Sequence, residues 1–139
     1  MRDTLIKNLR ARFAAYDELA SELDNESLQA KLDIEKHKSI AEHLWCIVGS
    51  RESHARAIEK GEWDGFSCSM ESFTQEDFVQ KLLQSAGAVN SALDSVQHWS
   101  EEQNQLLANL AEHEVMHEGQ IIRHVLGTGN HLPKSWKWA

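Results

Sequence analysis

The sequence predicts an all-α protein, a four-helix bundle formed by residues 1–139 as a single domain, and three observations carry that prediction. The only proline is Pro133, so everything before it is free of an absolute helix breaker. Four segments repeat apolar residues at steps of three and four, the period of a helix with one buried face. Three of those segments begin at a Ser or Thr followed three residues later by an acid or amide, the mark of a capped helix start. At 139 residues and 41% hydrophobic content, the chain can bury one core without staples.

The first helix is expected from Asp3 to about Leu23, with Leu5, Leu9, Phe13, Tyr16, Leu19 and Leu23 on one stripe. The polar run Asp24-Asn25-Glu26-Ser27 ends it, and Leu28 to His37 reads as a connection with at most a short helical turn. Ser39 caps a second helix to about Lys60, Glu42 completes its capping box, and Ile40, Leu44, Ile47, Val48, Ala55 and Ile58 form its stripe. Gly61 stops that helix. Gly61 to Phe73 is a loop whose Trp63, Phe66, Cys68, Met70 and Phe73 are expected to pack down as a lid, or to line a ligand pocket. Thr74, with Asp77 three residues on, caps a third helix striped by Phe78, Leu82, Val89, Leu93 and Val96. Gly87 inside it either weakens the helix or lets a neighbour approach. Ser100, followed by Glu101, Glu102 and Gln103, starts a fourth helix through Leu106, Leu110, Ile121 and Ile122 to Gly127. In the irregular tail, Trp136 and Trp138 are expected to pack back onto the bundle.

Composition excludes several roles. A formal net charge of −8 argues against sequence-independent nucleic-acid binding and against anionic membranes, both of which need clustered Lys and Arg. No apolar run reaches the ~18–20 residues needed to span a bilayer, and MRDTLIKNLR has no secretory apolar stretch, so a cytoplasmic protein is expected. Cys46 and Cys68 are too few for a disulfide framework and are expected to stay thiols.

Chemistry concentrates in LAEHEVMHEGQIIRHV, residues 110–125, where His113 and His117 stand four apart. On a helix that spacing advances ~400° and ~6 Å, so both imidazoles project from one face and can grip one ion. HEVMH matches the zinc-peptidase pattern, in which a glutamate is the general base, but the downstream glycine, histidine or glutamate of that class is not where it should be. A di-iron bundle needs a second Glu-x-x-His, and none is present. Two histidines at this spacing also occur as hydrogen-bonded core or surface residues, the reading given to His37, His98, His124 and His131.

The neighbourhood of the pair adds a resemblance. His113, His117, Gly119, Gln120 and Ile121, as His-x-x-x-His-x-Gly-Gln-Ile, resemble the last-helix signature of the DinB-like (YfiT-like) metal-binding four-helix bundles. The segment from Ser39 to Ile47 is similar to that family's second helix, where a histidine follows a serine by seven positions; here that position is Cys46. The resemblance spans the second helix to Leu132-Pro133 and Trp136. It implies a mononuclear site with Cys46, His113 and His117 as ligands and an open position for water or a thiol. Its metal would be divalent, zinc first, with nickel, iron or manganese as alternatives. It further implies a small-molecule substrate, a low-molecular-weight thiol, in S-transfer or a related hydrolysis or isomerisation, and a homodimer.

Cysteine and histidine both ligate zinc, at ~2.3 Å and ~2.0–2.1 Å, so the departure at Cys46 is chemically admissible. The alternative is a non-catalytic bundle, an interaction or stress-response protein, whose site is vestigial because of Cys46. His43, one turn earlier at the edge of the apolar stripe, is the reserve ligand, and His54 an edge residue bordering the pocket. Glu114 and Glu118 are expected on a solvated face, with partnering of the ligands or proton acceptance as their functional alternative.

Overall fold

The computed structural model describes residues 1–136, and among these every regular element is a helix. The helices are α1 (Arg2–Glu22), α2 (Asn25–Gln29), α3 (Ile40–Lys60), α4 (Gln75–Ser95) and α5 (Glu101–Gly127). The four long helices form a bundle, and the three expected N-caps are present. Ser39 and Ser100 close reciprocal capping boxes with Glu42 and Gln103, and the Thr74 hydroxyl accepts the Asp77 N–H. The polar run after α1 is itself a helix start: the Asp24 carboxylate accepts the Ser27 N–H at 2.7 Å, and buried Leu28 anchors the single turn of α2. No helix among the described residues is long and apolar enough to cross a membrane.

Helix directions follow from the polar contacts at the bundle's two ends. At one end Arg2, opening α1, donates to Asn104 at the start of α5, while Gln103 reaches the Ile58 carbonyl near the end of α3. At the other end Gln75, opening α4, donates to the carbonyls of Ala20 and Ser21. Helices α1 and α5 therefore run one way, and α3 and α4 the other. Both α1 and α3 pack on α4 and α5, so α1 lies diagonally across from α3. Two of the links therefore follow paths that sequence reading did not specify, one across the bundle and one along its length.

The link from α3 to parallel α4 has to travel the length of the bundle, and residues 61–74 do so by running back along α3. Ser53 bonds both the N–H and the carbonyl of Ser67, and the Ser69 N–H donates to Glu52. Gly49 makes room: a Cβ there would stand 2.8 Å from the Cys68 Cβ and run into the Phe66 ring. Phe66 lies against Trp45, and Met70 is buried. The loop packs down through Cys68 and Met70, while Trp63, Phe66 and Phe73 stay exposed, so the expected lid is formed only in part.

Two apolar clusters fill the interior, one around Tyr16, Leu44, Ile47, Ile121 and Trp136, the other around Phe13, Ile58, Val89, Leu107 and Leu110. Trp136 closes the first by donating its indole N–H to the Ala15 carbonyl at 3.0 Å and meeting Tyr16 edge-on. Trp138 lies outside the described residues. Gly87 is exposed and nothing lies within 4 Å of a Cβ built there, so it weakens α4 without serving a helix contact.

Candidate metal centre

Helices α3 and α5 are antiparallel neighbours, and this places the early turns of α3 opposite the second half of α5. His43 and Cys46, three apart on α3, both face α5; His113 and His117, four apart on α5, both face α3. Two contacts result. The Cys46 Sγ lies 3.5 Å from His113 Nε2, and His43 Nδ1 lies 2.9 Å from His117 Nδ1. The rings of His113 and His117 are 4.5 Å apart, and those of His43 and His117 5.1 Å.

Cys46, His113 and His117 are brought together as sequence reading expected: one ligand atom from each lies within 4.8 Å of the others, a group that can hold a metal ion. The geometry suits a tetrahedral ion. Bond lengths of ~2.3 Å to sulfur and ~2.05 Å to nitrogen at the tetrahedral angle separate two ligand atoms by about 3.6 Å, close to the 3.5 Å found between Cys46 Sγ and His113 Nε2. Two buried ring nitrogens, His117 Nε2 and His113 Nδ1, have no hydrogen-bond partner. The same holds for both ring nitrogens of His124 and for Asp17 Oδ1, and a water or an ion is one way such a buried polar atom is satisfied.

His43 sits beside the group in a different role from the reserve ligand of sequence reading. Its Nδ1 is engaged with His117 Nδ1, one ring donating and the other accepting. When His117 is the donor, its remaining nitrogen, Nε2, carries a free lone pair. A hydrogen bond of this kind is how proteins fix the tautomer of a ligating histidine.

The electrostatics keep the imidazoles neutral. Burial pushes His117 down to about 3, helped by His113 and His43, and pushes His43 down to about 4, helped by Lys38, His124 and His37. Burial also lowers His113 and raises the Cys46 thiol, the latter opposed by the charge of Lys38. Neutral imidazoles are competent ligands as they stand, whereas the thiol must lose a proton to become one.

A cavity of about 550 Å³ opens over Cys46, His113 and His117, with Ile34, Met116 and Gln120 in its walls. The volume is that of a small-molecule site. The connection between α2 and α3 covers it and brings His37 to its edge. None of residues 61–73 lines this cavity, so the aromatic loop is packing on the far side of α3. His54 does not line it either: it is buried, bonded to the Ser50 carbonyl and stacked against Trp63. His124 is buried beside His37.

Glu114 and Glu118 correct the sequence reading most sharply. Neither is solvated. Glu114 is 0% exposed and takes two hydrogen bonds from the Arg51 guanidinium, at 2.7 and 2.8 Å, while Glu118 is buried against Arg12. Arg51, also 0% exposed, lies over the rings of Phe13 and Tyr16 at 4.3 and 5.4 Å. The Tyr16 hydroxyl donates to the Glu114 carbonyl at 2.8 Å, and burial raises its phenol well above the usual value, which keeps it a donor. Arg51 and Glu114 thus pin α3 to α5 beside the four-residue cluster. The signal was in the sequence: the stripe of α3 skips from Val48 to Ala55 and that of α5 from Leu110 to Ile121, and Arg51 and Glu114 fill those gaps with opposite charges.

Compared with known proteins, the chain matches no family model and no curated protein.

Proposed function

We propose that this chain is a mononuclear metal-dependent enzyme of the DinB-like type that acts on low-molecular-weight thiols in S-transfer or a related reaction. The observation that supports it best is the near-equality of the Cys46–His113 separation with a tetrahedral ligand-to-ligand edge, in a group whose third member, His117, has an unpartnered buried nitrogen. One thiolate and two imidazoles form a soft set, which favours zinc, with nickel or iron next, over manganese, magnesium or calcium. A bound divalent ion with an open position supplies Lewis-acid chemistry, lowering the pKa of a water or thiol there.

The chain's own residues do the rest. Cys46, His113 and His117 would hold the ion, His43 would orient His117, and the Arg51–Glu114 pair would fix the two helices at the spacing the ligands need. Ile34 and Met116 shed water from the walls of the cavity. Metal analysis of protein purified without chelator tests this reading against a His113→Ala/His117→Ala variant. One equivalent of metal in the native protein and little in the variant is expected; equal, negligible metal in both would overturn it.

A second reading, a non-catalytic bundle with a vestigial site, draws on the same contacts. Cys46 with His113 and His43 with His117 make two hydrogen-bonded pairs without any ion, and burial keeps the thiol protonated. It predicts that Cys46→His raises metal affinity sharply from near zero.

A further inference from the structure

The walls of the cavity carry three cationic side chains, Lys36, Lys38 and Arg123, and no acidic one, on a chain whose net charge is −8. That local inversion of sign is the opposite of what random placement in so acidic a protein would give. Lys38 and Arg123 are exposed and pair with no carboxylate among the described residues; Lys36 meets Glu35 only at 3.9 Å, with both side chains in solvent. Exposed pairs of that kind contribute little. The nearest acid on α3, Glu42, is occupied by the Ser39 N–H and by Lys31 at 3.2 Å, and does not line the cavity.

The segment that presents the two lysines is built to hold its position. Leu32 packs against Gly127, where an added Cβ would stand 2.7 Å from its Cδ2. The His37 N–H then donates to the Ile34 carbonyl, forming a turn in which Lys36 takes φ = 63°, a left-handed conformation that is unfavourable for a residue with a Cβ. Strain of this kind persists where the surroundings over-determine it, and it clusters at ligand sites. This segment contributes Lys36 and Lys38, and α5 contributes Arg123, to the lining of one cavity. The field of Lys38 reaches all four residues of the cluster, acting on His43, Cys46, His113 and His117 alike.

We infer that the substrate of this cavity is a small anion, its carboxylate or phosphate group held by Lys38 and Arg123 while its reacting group faces Cys46, His113 and His117. The half about the reacting group rests on the proposed metal-dependent function; the half about the anion does not. A guanidinium suits a planar carboxylate through paired hydrogen bonds, and an ammonium supplies a mobile point charge. A thiolate ligand would leave a divalent ion with net positive charge, so an anion also complements the floor of the site. Against an acidic surface, the basic mouth steers anions to one place.

The test is a titration of Co(II)-loaded protein with mercaptosuccinate, 2-mercaptoethanol, succinate and inorganic phosphate, followed by cobalt absorption and by calorimetry. Mercaptosuccinate is expected to bind at least tenfold tighter than 2-mercaptoethanol at low salt, and the advantage to shrink at high salt. Lys38→Gln/Arg123→Gln should abolish the advantage while leaving the thermal melt unchanged. Succinate against phosphate then identifies which oxyanion the mouth prefers. Equal affinity for the two thiols, or an advantage that survives the double substitution, would overturn the inference and leave the metal–thiol reading standing. If the protein takes up no metal, or neither thiol perturbs the cobalt spectrum, the anion site is read by calorimetry with succinate and phosphate alone. Binding lost in the double variant then sustains the inference, and absence of binding overturns it.

Discussion

Removing one member of the Arg51–Glu114 pair is the perturbation with the largest calculable consequence. Both side chains are fully buried, joined by two short hydrogen bonds, and the guanidinium is enclosed by Phe13 and Tyr16. Arg51→Met leaves a carboxylate in that interior with no counter-charge, and Glu114→Leu leaves a guanidinium. Either single change should destabilise by about 3–5 kcal/mol, the effect of leaving an uncompensated buried charge. That is about a fifth or more of the roughly 5–15 kcal/mol available to a domain. For a chain of this length it corresponds to a fall in Tm on the order of 10–15 °C. Arg51→Met/Glu114→Leu replaces both charges by apolar groups of similar size and should recover most of the loss, because the desolvation penalty of the pair disappears with its attraction. Urea denaturation of all four proteins closes the double-mutant cycle. Single losses below about 1 kcal/mol would mean that water reaches the pair, and the account of a buried clamp would fail. The double variant also separates stability from positioning: stable but weaker in metal binding if the ion pair sets the spacing of α3 and α5, unchanged in metal binding if apolar packing alone sets it.

Three further outcomes follow from other contacts. His43→Ala should weaken metal binding about 10–100-fold, the usual effect of losing a residue that orients a ligand, whereas His117→Ala should abolish it; equal losses in competition titrations would make His43 a ligand itself. Gly87→Ala, at an exposed position of α4 with open space around it, should raise stability by about 0.5–1 kcal/mol without altering metal affinity, and a loss would show that the glycine is needed for packing. The third is a pH dependence. Folded His43 and His117 are held at about 4 and about 3, below the 6.5 of the unfolded chain, so the unfolded state takes up protons first. Stability of the metal-free protein should fall as pH drops below 6.5 towards those values, by up to about 1.4 kcal/mol per histidine per pH unit. Urea melts that show stability rising on acidification would refute the assignment.

What the sequence made legible was periodic. Helix starts at Ser39, Thr74 and Ser100 are local hydrogen-bonding patterns, and the stripes around them record which face is buried, so both survive folding intact. The ligand trio was legible because His113 and His117 share a helix and Cys46 stood at a position that resemblance picked out. Link paths were harder. Nothing in residues 61–74 says that α4 runs parallel to α3; only packing decides it, and the long return path follows. Glu114 and Glu118 were misplaced because an acid is assigned to solvent by default, and the default holds only while no opposite charge faces it. Their partners Arg51 and Arg12 lie on other helices, so the pairing is tertiary information.

Composition is likewise silent at the cavity. A net charge of −8 describes the average surface, and an average says nothing of a mouth formed where a loop and a helix meet. The same reasoning bears on why Cys46, rather than His43, partners His113. The two residues of α3 lie about 60° apart around their helix and ~4.5 Å apart along it, so either could have met α5 first. Antiparallel packing pairs His43 with His117 and Cys46 with His113, and the Arg51–Glu114 pair is a further contact between α3 and α5 in that register. A slip of one turn would place His43 against His113 and leave Cys46 facing Leu110. If the Arg51→Met/Glu114→Leu variant loses metal affinity while keeping its stability, the chemistry of the candidate centre is decided by an ion pair that makes no hydrogen bond to Cys46, His113 or His117.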